Sequence, residues 1–452
     1  MLRKLFIGLL LTLTIVGAMG VWYVRSAAPV ASGLIAKQLC TLVFESRLTP
    51  RRARALYFRT LIGPAERFFQ HEIDPQQPAV SVAGAGAQAR AIHRPGLGCT
   101  LAYPPDADPG QLVLSPVVTI NRGASTAIDH GVRAAAFDQS ALEQALDSAF
   151  NGESERNTLA IAVMHQGKLV AERYASGITA ATPLPGWSMA KSTTATLVGV
   201  MQQQGMLRVS DSGLFPQWAA GDHRHNITLE QLLRMTSGID LPETGSGIDA
   251  NSIMLFTQND AAGWAINRGL RAAPGLEFAY TSGSTVLVAR YLTEVAGGPQ
   301  AMYRLIREFF DTLGMHSAIL EPDAAGTFIG SSFMVASARD WAKLGQLYLN
   351  EGLWNGQQLF APEWVAFVRE LTPQSQARSY GAGFMRRRPL TLYAESQVPA
   401  LPEDAFAAHG LQNQALYIIP SEDLVVVRLG ATSDYWQSGE WSLVADVIAA
   451  KR

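Results

Sequence analysis

The chain has 452 residues and a formal charge of -2, with 48% hydrophobic and 16% charged side chains. That length gives room for two or three domains, and the composition supports a large core and excludes a disordered chain. The near-zero charge gives no electrostatic case for nucleic acid as a partner. Gly84-Ala85-Gly86 lacks the third glycine and following helix of a phosphate-binding loop, so no nucleotide cofactor is expected.

Arg3 and Lys4 precede an uncharged run from Leu5 to Val24. It is long enough to cross a bilayer as one helix, or to serve as a signal peptide with Ala18-Met19-Gly20 as a weak cleavage site. The leading positive charge orients the remainder outward, toward a bacterial periplasm, with secretion as the outcome if the run is cleaved. Residues 1–25 are thus an anchor or signal segment. Residues 26–138 form a leader region, in which Ile35 to Ser46 reads as helix. A basic stretch follows, with Arg51, Arg52, Arg54 and Arg59 on a solvated face. Pro104, Pro105 and Pro109 mark an irregular stretch. Cys40 and Cys99 are the only cysteines. In an oxidising compartment a bridge between them is favoured over two buried thiols. It would close a loop of about 58 residues and contribute roughly 4 kcal/mol.

From Asn157 the pattern changes. Leu159–Met164 and Lys168–Tyr174 read as a hairpin turning at His165-Gln166-Gly167. Helical patterns dominate from about Gly205 to about Asp340, including a segment capped by Thr228 and closed by Gly238. Ala415–Ile419 and Leu424–Leu429 read as strands, and a last helix runs from about Gly439 to Ala450. Strands at both chain ends with helices between them predict an antiparallel sheet built from the two ends, with a helical insertion at about 205–340 in a domain spanning 139–452. His223-Arg224-His225 is a close histidine pair without a His-Glu-x-x-His helix, so a solvated loop and no metal are expected.

The chemistry concentrates in Trp187-Ser188-Met189-Ala190-Lys191. Pro183-Leu184-Pro185-Gly186 cannot continue as helix, whereas Ala195 to Met201 is apolar and helical, so Ser188 falls at a helix N-terminus. Lys191 lies one turn along the same face. A serine hydroxyl needs a base before it attacks, and burial makes an ammonium give up its proton more readily. Backbone N–H groups at the helix start face the centre where a carbonyl oxygen gains charge. A single Ser-x-x-Lys also arises by chance as a cap followed by a surface lysine. Here the helix carries almost no other charge, which disfavours a surface position. Tyr280-Thr281-Ser282-Gly283 offers a phenol for proton relay. Ala408-His409-Gly410-Leu411-Gln412-Asn413-Gln414 leads into a strand whose edge can present an N–H to an oxyanion. Gly-x-Ser-x-Gly is absent, because Ala190 stands where the second glycine of an α/β-hydrolase elbow belongs.

Together these motifs resemble the serine β-lactamase and penicillin-binding-protein superfamily, in its class C-like branch, and are nearest the 6-aminohexanoate-dimer hydrolase subgroup. The resemblance covers about Leu159 to Gly430. It also draws on Leu313-Gly314-Met315, Glu321-Pro322-Asp323, Gly330-Ser331-Ser332 and Ala338-Arg339-Asp340-Trp341-Ala342. It implies an α/β (α+β) fold with a helical insertion, Ser188 as acyl-forming nucleophile, Lys191 as base and Tyr280 as second proton-transfer group. Ser188 N–H and the segment Gly410, Leu411 and Gln414 would bind the oxyanion and substrate. The expected substrate is a small or short peptide-like amide or ester. Two departures weigh against penicillin hydrolysis. Ala408 stands where superfamily members often carry Lys or His, with Leu411 and Asn413 replacing the subgroup's usual His and Gly, and Ser282 stands where β-lactamases have Asn. A β-lactamase, a D-Ala-D-Ala carboxypeptidase and a catalytically silent, membrane-tethered peptide- or peptidoglycan-binding protein remain as alternatives.

Overall fold

A computed structural model describes residues 2–103, 114–115, 129–150, 156–386, 401–432 and 438–452. The expected irregular prolines, Pro104, Pro105 and Pro109, lie outside the described residues.

The main sheet has six antiparallel strands, in the order Met385–Arg386, Phe406–Gly410, Gln414–Ile419, Leu424–Gly430, Thr158–His165 and Lys168–Tyr174. Leu424 pairs with His165 and Val427 with Ala162, so the two chain ends close one sheet, as the strand pattern implied. Both faces are covered, which is why the central strands read as continuous apolar runs. Ile161, Val163, Ala415, Tyr417 and Val426 face the helices Gln139–Phe150 and Glu440–Ala449. Their neighbours Ala160, Ala162, Leu416, Ile418, Val425 and Val427 face the opposite core, with the helix Ala338–Leu349. A Cβ on Gly345 of that helix would lie 2.6 Å from Val425 Cγ1, so glycine sets the close helix–sheet approach. The insertion carries the helices Ala250–Thr257, Ala261–Ile266, Ser282–Val295 and Pro299–Thr312. It also carries Ile319–Leu320 and Met334–Ala336, which join Leu184–Pro185 in a small three-stranded sheet.

The N-terminal region differs from its sequence reading in two ways. The expected separate segments fuse into one 43-residue helix, Leu2–Phe44, about 65 Å long at 1.5 Å per residue. Leu5 through Val24 is exposed, whereas Ala28, Val30, Ile35, Ala36, Leu39, Cys40 and Leu42 are buried. The second half is therefore core, held by packing that outweighs Pro29 inside the helix. A Cβ on Gly33 would sit 2.0 Å from Phe256 O, so this glycine lets the helix Ala250–Thr257 touch the long helix backbone. The second difference is a four-stranded antiparallel meander, Phe69–Asp74, Ala79–Gly84, Ala87–Arg94 and Gly98–Ala102, where no strands were read. Its sequence, with Ser81, Gln88, Arg90 and His93 among alanines and valines, carries little β-branched signal and forms strands because the long helix covers one face.

The structure joins Cys40 on that helix to Cys99 on the last meander strand, with Cα atoms 6.0 Å apart. Beside the bridge, Lys37 forms a fully buried ion pair with Glu321. Burial pulls the Lys37 ammonium below its ordinary range, and Glu321 opposes that shift. Glu321 Oε1 also accepts from Thr41 Oγ1 at 2.8 Å and from Cys99 N at 2.7 Å. One carboxylate thus ties the long helix, the meander and the domain that follows them together. Lys37→Met leaves that carboxylate buried without its cation and is expected to cost about 3–5 kcal/mol in chemical denaturation. Adding Glu321→Leu should recover only part of the loss, because Cys99 N–H is then orphaned at about 1–3 kcal/mol.

Asp323, two residues on, accepts from Ala261 N at 3.0 Å and Thr327 N at 2.9 Å. Burial first, and Asp260 second, push its carboxyl up to about 7. A raised acid favours the fold fully below its unfolded value of 3.8, and that contribution disappears as pH rises through about 7. Melting temperature should therefore carry a component that falls between these pH values, and Asp323→Asn should flatten it.

Candidate active site

The small sheet delivers the stretch that carries Ser188 and Lys191. Leu184 and Pro185 pair with Ala336 and Val335, and Gly186 N donates to Met334 O at 2.8 Å. Trp187 then adopts φ 49°, an uncommon conformation for a residue with a Cβ. Its ring is buried, and its Nε1 donates to Gln412 Oε1 at 3.1 Å, which holds the turn. Ser188 follows as N-cap of the helix Met189–Gln203, with φ -63° and no side-chain capping bond. Its hydroxyl is therefore not spent on the helix end. Among the described residues, Ser188 N donates to no internal acceptor.

Lys191 is 2% exposed. Its Nζ lies 3.0 Å from Ser188 Oγ, 3.1 Å from Ser282 Oγ and 3.1 Å from the Ser331 carbonyl oxygen. No carboxylate pairs with it among the described residues. The Tyr280 ring centroid is 4.7 Å from the same nitrogen, and the Tyr380 ring meets Tyr280 edge-on at 5.8 Å. Tyr280, distant in sequence, thus converges with Ser188 and Lys191.

Ser282 is a contact that the sequence reading did not assign. It stands two residues beyond Tyr280, where Thr281 caps the helix Ser282–Val295. Ser282 N donates to Glu243 Oε2 at 2.6 Å, so a loop carboxylate fixes the residue that fixes the lysine. Ser331 and Ser332, read only as a family motif, supply the carbonyl and a hydroxyl 3.4 Å from Ser282 Oγ. Asp340, from another of the motifs, is structural: Oδ2 accepts from Ser317 N at 2.8 Å and Ser317 Oγ at 2.6 Å.

The strand Phe406–Gly410 forms the other wall. A Cβ on Gly410 would lie 2.1 Å from Gly186 O, so the strand end presses on the residue two before Ser188. Leu411 is exposed, while Gln412 and Asn413 both take φ 62° in a tight turn. Buried Arg428 holds that turn from behind, donating to Asn413 O at 2.8 Å and Gln412 O at 3.4 Å. Burial pulls its guanidinium down to about 10, against the pull of Glu440. Gln414 points into the sheet, where its Oε1 accepts from Gly430 N at 2.9 Å. Its side chain therefore braces the turn. Gln412 also donates to Tyr57 O at 3.1 Å, so the N-terminal region buttresses this wall.

The strand register settles the role of His409. Ala408 packs in the core with the helix Met189–Gln203, whereas His409 lies 3.8 Å from Glu440 and edge-on to Tyr417, in the opposite layer. No cation therefore stands on the site face at the position where superfamily members often carry one. Among the described residues no group of three His, Cys, Asp or Glu could hold a metal ion.

The beta-lactamase family model matches residues 142–439, and the chain belongs to this family of hydrolases. It is 25% identical over 331 residues to a 6-aminohexanoate-dimer hydrolase of Paenarthrobacter ureafaciens, covering 68% of this chain and 81% of that one. A solved Bacillus anthracis structure assigned by name to the 6-aminohexanoate-dimer hydrolases superposes with a TM-score of 0.56 at 21% identity, over 75% of this chain and 88% of that one. A family VIII carboxylesterase gives 0.52 at 15%, over 69% and 96%.

Gly410→Ala should push the strand end away from Gly186. We expect a circular dichroism spectrum close to the parent's and hydrolytic turnover reduced by about 10²-fold, the scale of one misplaced oxyanion donor.

Proposed function

We propose that the protein is a serine hydrolase that cleaves an amide or ester through an acyl-enzyme. Its functional likeness is to the 6-aminohexanoate-dimer hydrolases and the β-lactamase-type esterases. The observation that carries this reading is Lys191 Nζ, buried and uncompensated by a carboxylate, 3.0 Å from a serine hydroxyl that no helix cap engages.

Ser188 Oγ attacks the carbonyl carbon while Lys191 Nζ takes its proton. The Ser188 N–H, with a backbone N–H of the Leu411–Gln414 turn, receives the oxyanion. Tyr280, beside Lys191, helps return a proton to the leaving nitrogen or oxygen as the carbonyl re-forms. Water activated by the same groups then releases the acyl group and restores Ser188. Ser282 and the Ser331 carbonyl are positioning groups that aim the lysine.

A small amide or ester fits better than a β-lactam, because the carboxylate of a penicillin finds no cation at Ala408 and His409 faces away. The intact triad favours turnover over silent binding. We place the N-terminal helix across the bacterial inner membrane, with the hydrolase domain in the periplasm. Continuity of the exposed Leu5–Val24 run with the buried Ala28–Leu42 run favours an uncleaved anchor.

With a p-nitrophenyl ester or a linear amide dimer, Ser188→Ala should lose nearly all turnover. Lys191→Ala should cost about as much, since members of one catalytic unit are not additive. Tyr280→Phe should cost less, on the order of 10²-fold. Retained turnover in Ser188→Ala overturns the reading.

A further inference from the structure

The active site is wired to the membrane end of the long helix. Trp22 and Tyr23 are exposed at the end of the apolar run, followed by Arg25, the pattern of a bilayer interface. Tyr23 Oη donates to the carbonyl of Ser246 at 2.8 Å. Ser246 lies in the loop Pro242–Asp249, which also carries Glu243, the acceptor for Ser282 N. The loop's distal end is fixed as well. Ser246 Oγ donates to Asp249 Oδ2 at 3.3 Å, and Asp249 caps the helix Ala250–Thr257 that docks on the long helix at Gly33. At most about 3.8 Å per residue of loop, together with these hydrogen bonds, puts Lys191 Nζ no more than about 30 Å from Tyr23 Oη. The helix cannot swivel freely at this point, because its continuation is buried core. The bilayer surface therefore has a fixed position relative to the catalytic groups, and the rim loop lies at that surface.

We propose that this site, read as a hydrolase above, takes its substrate from the membrane surface: an amphiphile whose tail stays in the bilayer and whose ester or amide is carried outward on a polar headgroup. Headgroups extend about 5–8 Å beyond the hydrocarbon on each side, so a spacer of modest length spans the remaining gap to Ser188. Exposed Leu411 on the opposite wall offers apolar contact to such a chain.

The test uses the full chain in phosphatidylethanolamine–phosphatidylglycerol vesicles, with active sites counted by fluorophosphonate labelling. The probes are a fluorogenic ester on a diacyl lipid through a polar spacer and its tail-free twin. Anchoring alone concentrates enzyme and lipid probe, so the comparison is with a variant carrying about ten Gly/Ser residues between Val24 and Arg25, which stays anchored but frees the rim from the surface. Turnover of the lipid probe should fall by about tenfold in that variant, as the effective concentration set by a rigid link is lost. Turnover of the soluble twin should not change. Equal loss on both probes, or no loss on the lipid probe, overturns the inference while leaving the hydrolase reading intact; absence of labelling and turnover on both probes overturns the two together. Independently, a fluorophore on Ser246→Cys should be quenched by headgroup-borne quenchers in the parent, and an unquenched signal contradicts the placement of the loop.

Discussion

The structure depends on a buried lysine whose partners among the described residues are hydroxyls, one carbonyl and the Tyr280 ring. Lys191 is buried on a helix whose neighbours are alanine, threonine, leucine and valine. Burying an ammonium without a counter-charge is unfavourable, and the fold meets that cost through three directed hydrogen bonds. Each comes from a different segment: Ser188 from the turn before the helix, Ser282 from the insertion, and Ser331 from the approach to the small sheet. The hydrolase domain and its helical insertion meet at this one nitrogen. That is why the residues between the two segments must fold as they do, and why Glu243, remote from the reaction, matters for aim.

The N-terminal region performs a second kind of organisation. It lies before the stretch matched by the family model, yet it supplies Tyr57 behind Gln412 and Lys37 behind Glu321. The first supports the turn at Gln412 and Asn413, and the second supports the segment that leads to Ser331. The helix that carries the exposed apolar run is thereby also part of the scaffold of the site. Truncation into the helix beyond Arg25 would remove core side chains, beginning with Ala28 and Val30.

Much of the site was legible because its chemistry is local. Ser188 and Lys191 share one helical turn, and the breaker Pro183-Leu184-Pro185-Gly186 announces where that helix starts. The two-ended sheet was legible from strands with continuous apolar runs. Ser282 was missed because a serine two residues past a tyrosine has no periodicity to mark it, and only the placement of its helix start brings its hydroxyl to the lysine. Gln412 was missed as a brace for the same reason, since its partners, Tyr57 and Trp187, lie far away in sequence. The four-stranded meander was invisible because its strands are stabilised by the helix they cover, not by residue propensity. The role of His409 required register: its two-residue alternation with Ala408 and Gly410 decides which layer it enters, and sequence alone does not set the phase.

The central claim is that Ser188 becomes covalently acylated with Lys191 as its base. The most direct measurement is intact-mass and peptide-mapping analysis of the protein quenched in acid during turnover of a slow ester. The account predicts one acyl group per chain, located on Ser188, and none in Lys191→Ala over the same interval. An acyl group on another residue, or normal accumulation on Ser188 without Lys191, would contradict it.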